Sequence, residues 1–312
     1  MIKWIPNGYI LGSCSIECHN DGQHILFSGY LRRPHDIMMK SPEVPDQPDY
    51  LIIESTYGNK THEQSDPSNQ IKDIINATVL RGGSILIPSF AVGRAQTLLY
   101  LLYKLRQSKQ IPEFPIYLDS PMSESATSIY RQYGANLKLD AEEIDGMIAM
   151  IKCVRTPDES KRLNHDRWPK IIISASGMAT GGRVLHHLKN MAPNDKNAIL
   201  FCGHQAGGTR GDAIVNGAQS IRLHGQDVRV RASVVKIDGL SAHADGNEII
   251  SWLKHFKSAP KRTFITHGEP ASADAMRIKI ERILEWDCEV PEHLSSYCIE
   301  GNQISAIKVH FD

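Results

Sequence analysis

A helix-period pattern lies between two histidine segments in the last third of the chain. From Asn247 to Phe256 apolar residues recur at helical spacing, which predicts an amphipathic helix. The flanking segments, 239–245 and 263–269, each place one histidine where a predicted strand gives way to a loop. A lone histidine is more often structural than functional. Two at matching strand ends predict a site, and we expect His243 and His267 at the same rim of one sheet, where open α/β folds bind ligands.

The amino-terminal part has the shorter period of strands. Apolar runs flank Asn20-Asp-Gly22, which predicts a β-hairpin. After a proline-rich loop over 34–48, the run Tyr50-Leu-Ile-Ile53 predicts a short buried strand that ends at Glu54. A carboxylate at the end of a strand is more often solvated, or caps a backbone segment, than catalytic. Here it is a further chemically active side chain at a strand end.

Strand and helix patterns alternate in the middle of the chain. The predicted helices are 70–80, 93–105, a segment after Ser120 to about Tyr133, and 139–153. The predicted strands are 83–88, 115–119, 170–173 and 197–202. This alternation predicts an α/β fold with a mostly parallel sheet covered on both faces.

Composition narrows the function classes. The chain has 312 residues, 41% of them hydrophobic, and 35 basic residues balance 35 acidic ones. A zero net charge gives no global attraction to nucleic acid, so a polyanion would need a local patch. No run is long enough for a membrane span, and the first residues do not resemble a signal peptide. The six scattered cysteines indicate reduced thiols in a cytoplasmic protein, and Cys14 and Cys18 lack the second close pair of a zinc knuckle.

Two glycine-rich turns follow predicted strands. The first begins at Ser174-Ala-Ser-Gly and continues through Arg183 into a predicted helix, and the second is Gly203 to Gly211. Such turns present backbone N–H groups to anions, although many glycine turns bind no phosphate. No Gly-Lys-Ser/Thr follows, so neither is a Walker loop. His186 and His187 are adjacent in the helix, so we expect one to be packed and the other exposed.

The order of these segments resembles the β-CASP branch of the metallo-β-lactamase superfamily, which includes zinc-dependent RNA nucleases. The resemblance covers essentially the whole chain. It rests on these segments: Phe-Ser-Gly at 27–29, Leu-Ile-Ile-Glu-Ser-Thr-Tyr-Gly at 51–58, Ile-Pro-Ser-Phe-Ala-Val-Gly-Arg-Ala-Gln at 87–96, Tyr-Leu-Asp-Ser-Pro-Met at 117–122, Ser-Ala-Ser-Gly-Met at 174–178, Ser-Ala-His-Ala-Asp at 241–245 and His-Gly-Glu at 267–269.

The resemblance implies a fold and a domain order. The family fold is an α/β/β/α sandwich with the β-CASP α/β domain inserted as a cap and an RNA cleft between the two. Residues 1–60 and 241–312 would then form the metallo-β-lactamase domain, incomplete here, and residues 61–240 the cap.

The resemblance also implies roles for residues. Glu54 matches a family acid, His243 the histidine that pairs with that acid and protonates the leaving oxygen, and His267 a zinc ligand. A carboxylate beside an imidazole fixes its tautomer and favours its charged form, which suits a general acid. The family holds two zinc ions. The residues that would line the phosphate track are Ser174, Ser176, Gly177, Arg183 and Arg94.

The sequence departs from the family at the metal ligands. The His-x-His-x-Asp-His run is absent. Tyr9 stands where a ligand histidine is expected, and Tyr30 where the bridging aspartate is expected. A phenol, with a pKa of about 10, is a poor zinc donor, and zinc needs about three or four protein ligands. We therefore expect this chain not to bind zinc stoichiometrically.

A second departure concerns packing. Without the family's amino-terminal strands, the apolar faces of strands near 10–30 and 264 would be uncovered. Uncovered apolar patches mark interfaces, so we expect self-association or a partner chain.

Three readings of function stay open: a zinc ribonuclease, a pseudoenzyme that binds RNA or scaffolds a complex, and an inactive remnant. A Rossmann-like nucleotide module is not favoured, because no Gly-x-Gly-x-x-Gly follows a first strand.

Overall fold

Strands and helices alternate over the residues that the computed structural model describes, which are 1–62, 66–166, 168–300 and 303–307. The strands are β1 (Ile2–Pro6), β2 (Cys14–Asn20), β3 (Gln23–Phe27), β4 (Tyr50–Glu54), β5 (Ile85–Pro88), β6 (Ile116–Asp119), β7 (Ile151–Cys153), β8 (Ile171–Ser174), β9 (Ala198–Cys202), β10 (Ser220–Leu223), β11 (Gln226–Arg229), β12 (Ser233–Ile237), β13 (Arg262–Thr266), β14 (Cys288–Glu289), β15 (Ser296–Glu300) and β16 (Gln303–Ile307). The α-helices are α1 (Pro67–Leu80), α2 (Arg94–Gln107), α3 (Pro121–Gln132), α4 (Ala141–Ala149), α5 (Pro157–His165), α6 (Val184–Met191), α7 (Arg210–Val215), α8 (Gly246–Leu253) and α9 (Pro270–Leu284).

The chain forms a mixed α/β fold in two units. One unit comprises residues 1–62 and 242–312, and the other comprises residues 63–241. The first contains a sheet in the order β1-β2-β3-β4-β13-β14, and the second a sheet in the order β12-β9-β5-β8-β6-β7. Thus residues distant in sequence complete the first unit.

In the first unit one face of the sheet packs against helices. Leu26, Leu51, Ile53 and Ile265 share a buried cluster with the apolar side of α8 and with α9. The predicted hairpin is confirmed, since Asp21 and Gly22 both adopt positive φ and close β2 onto β3. Strands β4 and β13 run parallel, with Glu54 opposite Thr266. Their carboxyl ends therefore meet at one edge.

The opposite face of this sheet carries exposed apolar side chains. The register places Trp4, Ile16, Phe27 and Ile52 side by side across four strands, and Trp4 is 66% and Phe27 42% exposed. The expectation of an uncovered face was wrong at 264, because the ring of Tyr297 packs on Phe264 at 4.8 Å. We call Ile2, Trp4, Ile16, Phe27 and Ile52 the apolar face.

In the second unit the sheet is parallel throughout, and β5, β8 and β9 are buried along their whole length. Such continuous apolar strands are expected when helices cover both faces. The prediction of one helix over 139–153 was wrong at its end, where residues 151–153 form β7 beside β6. Pairing with a parallel neighbour outweighed the helical pattern there.

Candidate active site

Glu54 is the centre of the site in the first unit. It ends β4 and is 2% exposed. One carboxylate oxygen accepts a hydrogen bond from the backbone N–H of Leu31 at 2.6 Å. The other accepts from Nδ1 of His243 at 2.7 Å and from the hydroxyl of Thr56 at 2.6 Å. A buried carboxylate requires such donors because burial without them is costly. Since the carboxylate only accepts here, Nδ1 of His243 carries the hydrogen and Nε2 faces away from Glu54.

His243 reaches Glu54 by a route that the sequence pattern did not predict. The strand before it, β12, belongs to the sheet of the second unit. The backbone of His243 instead pairs with Arg32 in an isolated antiparallel bridge, and Ala244 N donates to Leu31 O at 2.8 Å. His62 Nε2 contacts His243 O at 2.9 Å. Backbone pairing to the residues after β3 therefore positions this histidine.

His267 follows β13 directly, as predicted, and lies near His243. It has a positive φ of 53°, and its Nδ1 is 3.1 Å from the hydroxyl oxygen of Thr56. The ring centroids of the two histidines are 6.2 Å apart. The structure thus brings Glu54, His243 and His267 together at the ends of β4 and β13.

Tyr9 and Tyr30 occupy the space beside these histidines. The ring of Tyr9 lies 4.7 Å from that of His243, and the ring of Tyr30 lies 4.4 Å from that of His267. The two phenol rings contact each other edge to face at 5.0 Å. Aromatic side chains therefore pack where the family pattern places metal-binding groups.

The donor set here does not fit the two-zinc centre that the family pattern implies. Glu54 is committed to three donors. Among the described residues, the groups of three or more His, Cys, Asp or Glu side chains close enough to hold an ion contain neither His243 nor His267. Zinc requires more donors than one imidazole.

Asp245 supports this site as a helix cap. It accepts from the backbone N–H groups of Asn247, Glu248 and His62, and Glu248 returns a bond to the N–H of Asp245. Burial opposes ionisation, but these backbone hydrogen bonds lower the pKa of Asp245. Burial lowers the pKa of His62. Together, Asp245 and His62 fix the start of α8 and the loop that carries His243.

In the second unit, Ser174 and Arg183 both make polar contacts within the fold. Ser174 is fully buried, and its hydroxyl donates to Asp119 O at 3.1 Å. Arg183 pairs with the Asp119 carboxylate at 2.7 Å and donates to the carbonyls of Val154 and Arg155. His187 contacts the same carboxylate at 2.6 Å. His187 is buried and His186 exposed, as predicted.

Burial opposes the ionisation of Asp119, but hydrogen bonds from His187, Ser160 and Arg183 lower its pKa. A fully buried carboxylate with these donors is a structural element of the second unit. The sequence showed only an acid at the end of a strand, and its partners come from α5 and α6.

The other predicted phosphate residues lie nearer the surface. Ser176 is half-buried, and its hydroxyl accepts from the N–H of Thr180. A Cβ at Gly177 would lie 3.0 Å from the backbone nitrogen of Phe90, so this glycine allows two turns to approach closely. Arg94 is half-buried and donates to Cys202 O at 3.0 Å.

Sequence reasoning missed a cluster on the β2–β3 hairpin. Glu17, His19 and His24 bring one possible ligand atom each within 4.8 Å of one another. The signal was available, since the Asn-Asp-Gly turn places His19 directly opposite His24 and strand alternation places Glu17 on the same face.

Comparison with known proteins agrees with the resemblance. A Beta-Casp domain model matches residues 95–214, and a model described as a Zn-dependent metallo-hydrolase RNA specificity domain matches residues 227–291. An RNase J-like protein of Methanocaldococcus jannaschii is 33% identical over 93% of this chain and 68% of its own length. The chain belongs to the β-CASP branch of the metallo-β-lactamase superfamily.

Two other relatives are longer than this β-CASP chain. A ribonuclease from Thermus thermophilus is 33% identical over 84% of this chain and 61% of its own length. The transcription termination factor FttA of Pyrococcus horikoshii is 31% identical over 93% of this chain and 47% of its own length. The chain therefore spans about half to two thirds of the relatives it matches. Among the helices that the structure describes, none is both long and apolar enough to cross a bilayer.

Proposed function

We propose that this β-CASP chain acts on RNA and that its zinc-dependent phosphodiester cleavage is impaired. One observation carries the proposal. The Glu54–His243 pair is assembled at 2.7 Å, while the rings of Tyr9 and Tyr30 pack on His243 and His267 where metal-binding groups are expected. By this proposal, Glu54 and His243 would supply proton transfer, and Tyr9 and Tyr30 would stand in place of metal ligands.

The retained groups have a defined chemistry. Glu54 holds the Nδ1–H tautomer of His243, so Nε2 is the atom that could exchange a proton with an RNA oxygen. In the family, zinc supplies a hydroxide and neutralises phosphate charge. His267 is a single imidazole and zinc takes about three or four protein ligands, so by this proposal the pair would lack a zinc-activated nucleophile.

RNA binding is supported by the family relationship and by the second unit. Its glycine turn, with half-buried Ser176 and buried Gly177, and the half-buried Arg94 are the proposed contacts to phosphate. Ser174 and Arg183 would support this turn from beneath, because both bond to Asp119. A pure scaffold that binds no RNA is the alternative outcome.

The test compares cleavage and binding in the same preparations. With a labelled single-stranded RNA and added zinc, we expect wild type and His243→Ala to show the same background cleavage, and both to bind RNA. The ribonuclease from Thermus thermophilus serves as the positive control. Zinc-dependent cleavage by wild type that His243→Ala removes would overturn the proposed impairment, and absence of RNA binding at low salt would overturn the RNA role.

We further propose that the apolar face is an association surface, for a second copy or a partner chain. Three of its side chains, Ile2, Trp4 and Phe27, are exposed, and adjacent exposed apolar side chains are uncommon on a monomer's surface. No disulfide bond joins the cysteines in the described part of the chain, which supports a cytoplasmic location. Cell fractionation that finds the protein outside the cytoplasm would contradict the location.

A further inference from the structure

We propose that Glu17, His19 and His24 form a binding site for one zinc-class divalent cation, separate from the Glu54 site. The three side chains lie on one face of the β2–β3 hairpin. None of them belongs to the segments that carry the family resemblance. The proposal is independent of the RNA function.

The first observation is an unpartnered buried nitrogen. His24 is 8% exposed, and its Nδ1 is 2.8 Å from the carbonyl oxygen of Gln47. Because a carbonyl only accepts, Nδ1 carries the hydrogen. Nε2 has no hydrogen-bond partner among the residues that the structure describes. Metal-bound histidines commonly show this arrangement, with the second nitrogen donating to a backbone carbonyl.

The second observation is the buried carboxylate of Glu17, whose Oε1 lies beside that nitrogen and whose Oε2 is ion-paired with Lys3. Glu17 is fully buried. Its Oε1 accepts from the N–H of Asp46 at 3.0 Å and lies 3.8 Å from His24 Nε2, too far for a hydrogen bond. Its Oε2 has no hydrogen-bond partner in the described part of the chain. A lone pair on His24 thus faces a carboxylate, an unfavourable pairing that a cation between them would reverse.

The third ligand completes a plausible zinc geometry. His19 Nε2 lies 3.5 Å from Glu17 Oε2, and the rings of His19 and His24 stack at 4.2 Å. Neighbouring donors in tetrahedral zinc sites are about 3.4 Å apart, given bonds of about 2.0–2.2 Å. Two imidazoles and one carboxylate form a known zinc ligand set that leaves one position open.

Lys3 competes for this position. Its ammonium lies 3.4 Å from Glu17 Oε2 and 3.2 Å from the exposed Asp46 carboxylate. The lysine side chain is about half exposed, at 51%, so it can turn towards Asp46 when a cation binds Glu17. Removing this ammonium should therefore strengthen cation binding.

The second cluster, His62, Asp245 and Glu248, does not carry the same inference. His62 Nε2 already bonds His243 O, Asp245 receives three backbone N–H groups, and Glu248 pairs with Arg33 at 3.2 Å. Its groups are accounted for by the fold.

The test is zinc titration of the full chain after removal of metal with a chelator, using a competing chromophoric chelator as the readout. Wild type should bind one Zn²⁺ per chain. His19→Ala and Glu17→Gln should weaken binding by tenfold to hundredfold or more. The matched controls are His255→Ala, an exposed histidine of this unit outside the cluster, and His267→Ala at the other site, and both should bind as wild type does.

Further outcomes make the result decisive. Lys3→Met should bind zinc more tightly than wild type, and an unchanged affinity would contradict an ion beside Glu17 Oε2. Absence of zinc at micromolar concentrations in wild type would leave only an imidazolium–carboxylate pair and overturn the site. The site would also be overturned if the His19→Ala variant still bound zinc and the His267→Ala variant did not. Circular dichroism checks folding. If the Glu17→Gln variant fails to fold, the zinc affinity of His19→Ala decides the test. His19 is partly exposed, so its replacement should disturb folding less.

Discussion

Thr56 connects His267 to Glu54. Its hydroxyl donates to Glu54 at 2.6 Å and lies 3.1 Å from Nδ1 of His267. A single hydroxyl hydrogen goes to the carboxylate, so His267 Nδ1 is the donor to Thr56 oxygen. Both histidines therefore depend on one buried carboxylate, His243 directly and His267 through Thr56.

Replacing Thr56 with valine should test this connection. Thr56→Val keeps the shape of the side chain but removes its hydroxyl. One oxygen of Glu54 then loses one of its two hydrogen-bond donors. We expect the free energy of unfolding to fall by about 1–3 kcal/mol, measured by urea denaturation. The control is Thr61→Val, which removes an exposed hydroxyl contact to Asn247. If both variants lower the free energy of unfolding equally, the hydroxyl of Thr56 contributes no specific stability through Glu54.

His62 should control the position of His243. His62→Ala removes the contact to His243 O, and we expect faster amide hydrogen exchange over residues 240–245 with the parallel pairing of β4 and β13 retained. His255→Ala is the matched histidine control. Unchanged exchange in this loop would indicate that the bridge to Arg32 positions His243 by itself.

The buried ion pair of Asp119 should give a pH-dependent stability. The pKa of Asp119 is lowered from 3.8 in the folded chain, so its contribution is complete above that value and is lost as pH falls through the lower folded pKa. At pH 7 we expect Asp119→Asn to cost about 3–5 kcal/mol of unfolding free energy. The difference from wild type should shrink below pH 3.8.

The Arg131–Asp145 pair provides the control for this prediction. It has the same 2.7 Å separation, but both side chains are more than half exposed. Asp145→Asn should cost less than about 1 kcal/mol. Urea denaturation from pH 3 to pH 7 compares the two variants. A difference between wild type and Asp119→Asn that stays constant with pH would contradict the lowered pKa.

Arg94 should contribute a salt-dependent contact to RNA. Arg94→Ala is expected to weaken binding several-fold at low salt and to reduce the slope of log affinity against log salt by about one. Arg231→Ala, an exposed arginine of the same unit, is the charge-matched control. Filter binding at several salt concentrations measures both. Equal losses would assign the effect to general charge instead of a specific contact.

The apolar face should drive association. Light scattering after gel filtration should show wild type larger than a monomer, and Trp4→Lys with Phe27→Lys should shift it towards the monomer. Leu80→Lys is the control, since Leu80 is exposed in the other unit. A monodisperse wild-type monomer would contradict an association surface.

Several features followed from sequence because they are local. The Asn-Asp-Gly turn fixes the β2–β3 hairpin, and the apolar stripe fixes α8. Strands β4 and β13 were recognisable as short apolar runs ending at chemically active residues. Each depends on neighbours within a few positions, which periodicity and turn chemistry report directly.

Other features depended on partners far along the chain. Periodicity predicted a helix through 151–153, but pairing with β6 made it a strand. Nothing local to the glycine-rich turn indicated that Arg183 would pair with Asp119. The strand before His243 joined the other sheet, and residues after β3 positioned the histidine.

The sequence by itself determined the family, the alternation of elements and the presence of tyrosines at positions 9 and 30, where the resemblance implies metal ligands. Tertiary structure decided which polar atoms are satisfied internally and which, such as Glu17 Oε2 and His24 Nε2, are buried without a hydrogen bond among the described residues. The physical reason is that burial and hydrogen-bond partners are set by long-range packing, whereas turns, caps and periodicity are set by adjacent residues.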